Sequence, residues 1–198
     1  MSNWLDEAER RSRMRDTQGQ SERLQVRIDR IKENYVANKT VYDEFVSHLK
    51  GLISRANNLP HEFRIPFGKL SMRHKQTRLN NHLHILSSSQ RLRKRKTKDF
   101  WTWVFPVHIK HIRVVFVSVS KHAEMADLEI KESFLEKKRF RMDSKPAQGP
   151  GNKKHTDLVI HIPMNTLNKD LSQKILDFLA FKCELKDIPI DLTQATFY

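Results

Sequence analysis

The sequence predicts an α+β fold: a long N-terminal helix, a mainly antiparallel sheet of about five to seven strands, and a C-terminal helix. Apolar residues recur every 3.5 positions from Leu24 to Ala56, alternate in short runs between Phe63 and Ile162, and return to helical spacing from Leu171 to Leu179. With 198 residues, 38% apolar and 30% charged, the chain is long enough for one sizeable core. Residues 1–57 are therefore expected as a helical extension and residues 58–198 as an α+β domain whose first part, 58–98, is basic.

Residues 3–16 suit a short charged helix. Thr17-Gln-Gly-Gln-Ser21 then suggests a break, with Ser21 as N-cap of a second helix running to about Asn57. In that helix Leu24, Ile28, Ile31, Tyr35, Asn38, Tyr42, Phe45, Leu49, Leu52 and Ala56 follow one another at spacings of four and three. A helix of that length exceeds a compact domain of about 40 Å. Its C-terminal half is expected on the sheet, and its polar N-terminal half beyond it, where self-association or a protein partner through 21–57 is an option.

Past Asn57-Asn-Leu-Pro60 the period changes to two. Phe63, Ile65 and Phe67 read as a strand, as do Leu83 and Ile85. The run IRVVFVSV (112–119) suits a central strand covered on both faces. Leu128 to Ile130, Phe140 to Met142 and Leu158 to Ile162 supply further strands, while 132–139 fits strand and helix equally. SKPAQGPGNKK (144–154) is a turn-rich connector, and Asn165 or Thr166 opens the last helix.

The charge is concentrated. The formal net charge is +14, and residues 58–98 alone carry 11 Lys/Arg against one acid, whereas both flanks are nearly balanced. A localised cationic surplus points to an anionic partner more strongly than a high isoelectric point does. Its densest part is RLRKRKTKDFWTW (91–103), where cations on alternate positions would face both sides of a strand. A buried central strand does not tolerate that, so this stretch is expected as an edge, a hairpin end or an arm. Arg91, Arg93, Lys94, Arg95, Lys96 and Lys98 are the expected phosphate contacts, helped by Arg64, Lys69, Arg73, Lys75 and Arg78. Trp101 is the ring expected to stack on a base, while Phe100 and Trp103 suit a core strand.

Other chemistry is thinly represented. One cysteine, Cys183, excludes an internal disulfide and reads as a small packed residue rather than a nucleophile. His82 and His84 have the spacing to share a strand face, yet a bare pair specifies no metal, and none is assigned. Asp127, Glu129 and Lys131 alternate as nuclease carboxylates do, and equally as the solvated side of a strand. Gly149 to Lys154 lacks the spacing of a phosphate-binding loop. No cofactor is implied.

The expectation is a non-enzymatic binding protein that engages a phosphate-rich partner, nucleic acid before a membrane surface. The alternative is a structural subunit of a larger assembly with the long helix as interface. A charged N-terminus and the lack of an 18-residue apolar run suit the cytoplasm, or the nucleus.

Overall fold

The computed structural model describes residues 4–75, 82–93, 108–137, 144–146, 156–188 and 196–197. Helix α1 (Trp4–Asn57) precedes a short α2 (His61–Arg64). Strands β1 (Ser71–Lys75), β2 (Leu83–Arg93), β3 (His108–Val119), β4 (Met125–Lys137), β5 (Ser144–Pro146) and β6 (Thr156–Pro163) follow. Helix α3 (Lys169–Leu179) and a two-residue β7 (Thr196–Phe197) complete the order. The sheet runs β1-β2-β3-β4-β6-β7, with β5 also on β4, and every pairing is antiparallel. This is the α+β arrangement that the sequence predicts.

Period two sorts the strands into faces. Leu86, Val115, Ile130 and Leu158 form one cross-strand row, and His84, Val117, Leu128 and Ile160 the next. These side chains, apart from partly buried His84, are buried against Tyr42, Phe45, Leu49 and Ile53 of α1 and Leu171, Ile175 and Phe178 of α3. Every buried strand residue lies on this inner face, and the opposite side chains of β3, Ile112, Val114 and Phe116, are only partly buried. Thus β3 is central, as expected, and among the described elements both long helices pack on its inner face. A β-branched run supports one covered face or two, because such residues also suit a half-exposed pleat.

The long helix departs from expectation in where it bends. It is continuous through 17–21, since one glycine in a helix interior costs only about 1 kcal/mol against the propagation of its flanks. The one non-helical residue is Asn38 (φ −115°, ψ 17°). Its amide donates to Asn34 O at 3.1 Å and Asn34 Oδ1 at 2.9 Å. Among the helix side chains described, 19–57, the first buried one is Ile31, whereas Leu24 is 46% exposed. The C-terminal part is therefore the part that packs on the sheet.

Asn34 joins that bend to the β3–β4 turn. Its Nδ2 donates to the carbonyls of Ser120 (3.0 Å), His122 (2.8 Å) and Met125 (3.0 Å), and its Oδ1 accepts from Glu124 N at 3.0 Å. Glu124 has φ +58°, a left-handed conformation that a β-carbon disfavours. Asn34→Ala is expected to cost about 1–3 kcal/mol, because it strands several turn groups at once. Urea unfolding with an unchanged m-value would register it, and a loss below about 0.5 kcal/mol would contradict it.

Two further assignments differ from the sequence reading. Phe63 lies in α2 and Ile65 just beyond it, not in a strand, and both are exposed. Helix α3 starts after N-cap Asn168, whose side chain accepts from Leu171 N at 2.8 Å, because a 3-10 turn at Met164–Thr166 occupies the expected start. The ambiguous 132–137 is strand, and β5 falls inside the expected connector.

At the other end α3 is fastened to the sheet. Lys182 N donates to Asp177 O (2.9 Å) and Phe181 N to Phe178 O (3.0 Å), a Schellman closure with Phe181 (φ +60°) where glycine is usual. Arg113 Nη1 donates to Phe178 O at 2.7 Å and Cys183 O at 2.9 Å, and Ser88 Oγ donates to Leu179 O at 2.6 Å. Glu132 Oε1 lies 2.9 Å from Arg113 Nε and 2.6 Å from His111 Nε2, and Gln90 Nε2 is 3.1 Å from His111 Nδ1. Gln90, His111, Glu132 and Arg113 thus form one connected set.

Candidate nucleic-acid interface

The outer face of the sheet is divided by charge. Strands β1, β2 and β3 contain no aspartate or glutamate. Alternation turns Arg73 and Lys75 of β1 to the outer face, together with Arg91 of β2, which stands opposite Lys110 of β3. Arg93 is in register with His108 at the end of β2. Ser71 and Ser87 pair on the same face, and Ile85, Ile112, Val114 and Phe116 form its apolar floor. Because β1 pairs only with residues 83–87, the later part of β2 has its described partner in β3 alone. Arg91 thus lies in a strand, paired with Lys110 on one side, and most of the stretch expected as an edge or arm, 94–98, lies outside the described residues.

Beyond β3 the sign reverses. Asp127 and Glu129 of β4 and Asp157 of β6 face outward. Lys131 Nζ stands 2.6 Å from Glu129 and 3.1 Å from Asp157, and those carboxylates hold its pKa above the ordinary lysine value. His161 Nδ1 is 2.6 Å from Asp127 Oδ1. Asp127, Glu129 and Lys131 do share a face, but as ion-pair partners. Among the described residues no group of three His, Cys, Asp or Glu side chains is placed to hold a metal.

A second cationic feature adjoins β1. A groove of about 590 Å³ between the end of α1 and β1 is lined by Lys50, Lys69 and Arg73 together with Ser54, Asn58 and Ser71, and by no carboxylate. Asn57 fixes its floor: Nδ2 donates to Leu70 O and Oδ1 accepts from Leu70 N, both at 2.9 Å. The nearby C-terminus of α1 contributes about half a negative charge, which three cations outweigh. A phosphate group is the complement of such a groove.

The expected contacts are therefore brought together in part. Lys69 and Arg73 meet in the groove, and Arg73, Lys75 and Arg91 share the outer face. Arg64 is set apart in α2, with Nε buried and lacking a hydrogen-bond partner among the described residues. Arg78, Lys94, Arg95, Lys96, Lys98 and Trp101 lie outside the described residues, as do 140–142. Lys50 and Lys110 were not singled out from the sequence. The period of two that sets Lys110 on one face with Ile112 and Val114 carried the signal for one, and no local pattern joins Lys50 of α1 to β1.

His82 and His84 meet tyrosines. His82 stacks on Tyr35 with centroids 3.4 Å apart, and His84 Nδ1 is 3.2 Å from Tyr42 Oη. Tyr42 Oη also donates to the carbonyls of His82 and Val117. Burial, reinforced by neighbouring His74, pulls the His84 pKa from 6.5 down to about 4. The unfolded chain then binds the proton first, so stability present above pH 6.5 is lost as pH falls toward about 4. His84→Gln is expected to flatten that limb in urea midpoints taken between pH 7 and 4, and an unchanged limb would place its origin elsewhere.

Comparison with protein-family models, curated proteins and solved structures finds no match to the chain. Among the described residues no helix is long and apolar enough to cross a membrane.

Proposed function

We propose that this chain is a non-enzymatic binding protein that grips a phosphate-rich partner, nucleic acid in preference to a lipid surface, along β1–β3 and the adjoining groove. The observation that carries this reading is the absence of any carboxylate from β1, β2 and β3 while Arg73, Lys75, Arg91 and Lys110 face outward beside Lys50 and Lys69. Arg73 and Arg91 are separated by about 20 Å along the strand direction, six residues at about 3.4 Å each, so the cations form a track suited to repeated phosphates. The non-enzymatic part is supported by how the outer carboxylates are used: Lys131 and His161 already hold them. Such a protein would work in the cytoplasm or nucleus.

The test is affinity for labelled nucleic acid across a salt series. A steep fall in binding with salt supports the reading, because each neutralised phosphate releases counterion. Weak binding at every salt concentration would overturn it.

A second reading, a structural subunit docked through α1, is favoured by the exposure of Leu24 (46%) on the 3.5-residue stripe of the helix. Light scattering on the full chain and on Leu24→Glu distinguishes it, since only this reading makes mass or partner capture depend on that stripe.

A further inference from the structure

Resting on the phosphate-binding reading above, we infer that the outer sheet face takes single-stranded rather than duplex nucleic acid, with one backbone on the cationic strands and a base stacked on Phe116. Phe116 is the only phenyl ring of this face among the described residues. It is partly exposed and stands in one row with Arg73 and Ile85 on one side and Glu129 on the other. Lys131 Nζ lies 5.5 Å from its ring centroid. A cation track, an apolar floor and a ring within two strand spacings, about 10 Å, are what a backbone with unpaired bases needs.

The charge division disfavours the duplex. A double helix laid over the β1–β3 track would carry its second backbone across a groove about 6–12 Å wide. That distance reaches β4 and β6, at about 4.8 Å per strand. There the outward charged side chains described next to Phe116 are Asp127, Glu129 and Asp157, with Lys131 and His161 paired to them. Phosphates are repelled at that position. Bases are not, because carboxylate oxygens accept hydrogen bonds from the amino groups of adenine and cytosine. The acidic half of the face thereby limits the site to one backbone and directs bases toward β4.

The experiment measures fluorescence anisotropy of the full chain with a short labelled DNA strand and with its duplex, at several salt concentrations. The single strand is expected to bind about tenfold more tightly than the duplex. Phe116→Leu should weaken single-strand binding by about tenfold, the loss of one stacked base, without changing the salt slope. Phe116→Tyr keeps the ring and should restore affinity, which separates stacking from any packing defect of the leucine variant. Equal or tighter duplex binding, or a folded Phe116→Leu that binds as the parent does, overturns this inference and leaves the phosphate reading standing. Absence of salt-dependent binding to either probe overturns both. A dimer in light scattering that Arg91→Glu dissociates would give the face to a second copy and likewise overturn the inference.

Discussion

Replacing Arg113 by alanine is expected to lower stability by about 3–5 kcal/mol, because it breaks a buried ion pair from one side. The guanidinium side chain is only 7% exposed, and it holds Glu132 at 2.9 Å while donating to the carbonyls of Phe178 and Cys183. Its Cζ lies 4.2 Å from the centroid of the Phe178 ring and 4.8 Å from that of Phe181. Without it the end of α3 loses donors and packing together, and Glu132 keeps only His111. A chain of this size shifts its Tm by roughly 2–4 °C per kcal/mol, so the loss should be at least about 6 °C. Pairing Arg113→Met with Glu132→Leu should recover part of it, since removing both charges removes the desolvation cost as well. The same cluster sets an acid limit. Burial pushes the Glu132 carboxyl up, but hydrogen bonds from His111 and Arg113 push it further down, from 4.5 to about 2. Its contribution is full above pH 4.5 and is lost as pH falls toward about 2, a limb that Arg113→Ala should weaken. A loss under about 1 kcal/mol would mean that α3 is fastened by packing alone.

The parts of this fold that were legible are those fixed by period. The 3.5-residue stripe placed Tyr42, Phe45 and Leu49 toward one partner, and all three are buried. Period two put Arg73, Lys75 and Arg91 on a common face once β1 and β2 were paired. What failed depends on contacts distant in sequence. The bend at Asn38 involves Asn34, whose side chain is engaged by a turn 86 residues away. Phe63, Ile65 and Phe67 alternate, yet Pro60 starts a single helical turn there and only Phe67 reaches the core. Alternation alone does not distinguish a strand from such a turn in so short a run. The run at 112–119 carries apolar residues on both sides, and whether a second layer covers the outer one is decided by where the helices go, which lies outside the strand's own sequence. The groove at β1 was half legible for the same reason: Lys69 and Arg73 are near in sequence, whereas Lys50 arrives from α1.

Neutralising that groove is expected to change salt dependence more than stability. For a single strand the slope of log affinity against log salt is about −0.7 per phosphate contact, so the six cations of groove and face together predict a slope of about −4. Between 50 and 200 mM salt that amounts to a loss of about two to three decades. Changing Lys50, Lys69 and Arg73 to glutamine should bring the slope to about −2 and the loss to about twentyfold. All three side chains are exposed, so each change should stay within about 0.5 kcal/mol in stability, and the altered slope reports binding. The matching change at Lys75, Arg91 and Lys110 should give a similar reduction if one continuous track runs from the groove across the sheet. A reduction in the first variant alone would confine phosphate contact to the groove. A slope unchanged in both would transfer the contacts to Arg78, Lys94, Arg95, Lys96 and Lys98, and the division of charge on the sheet would then belong to another partner.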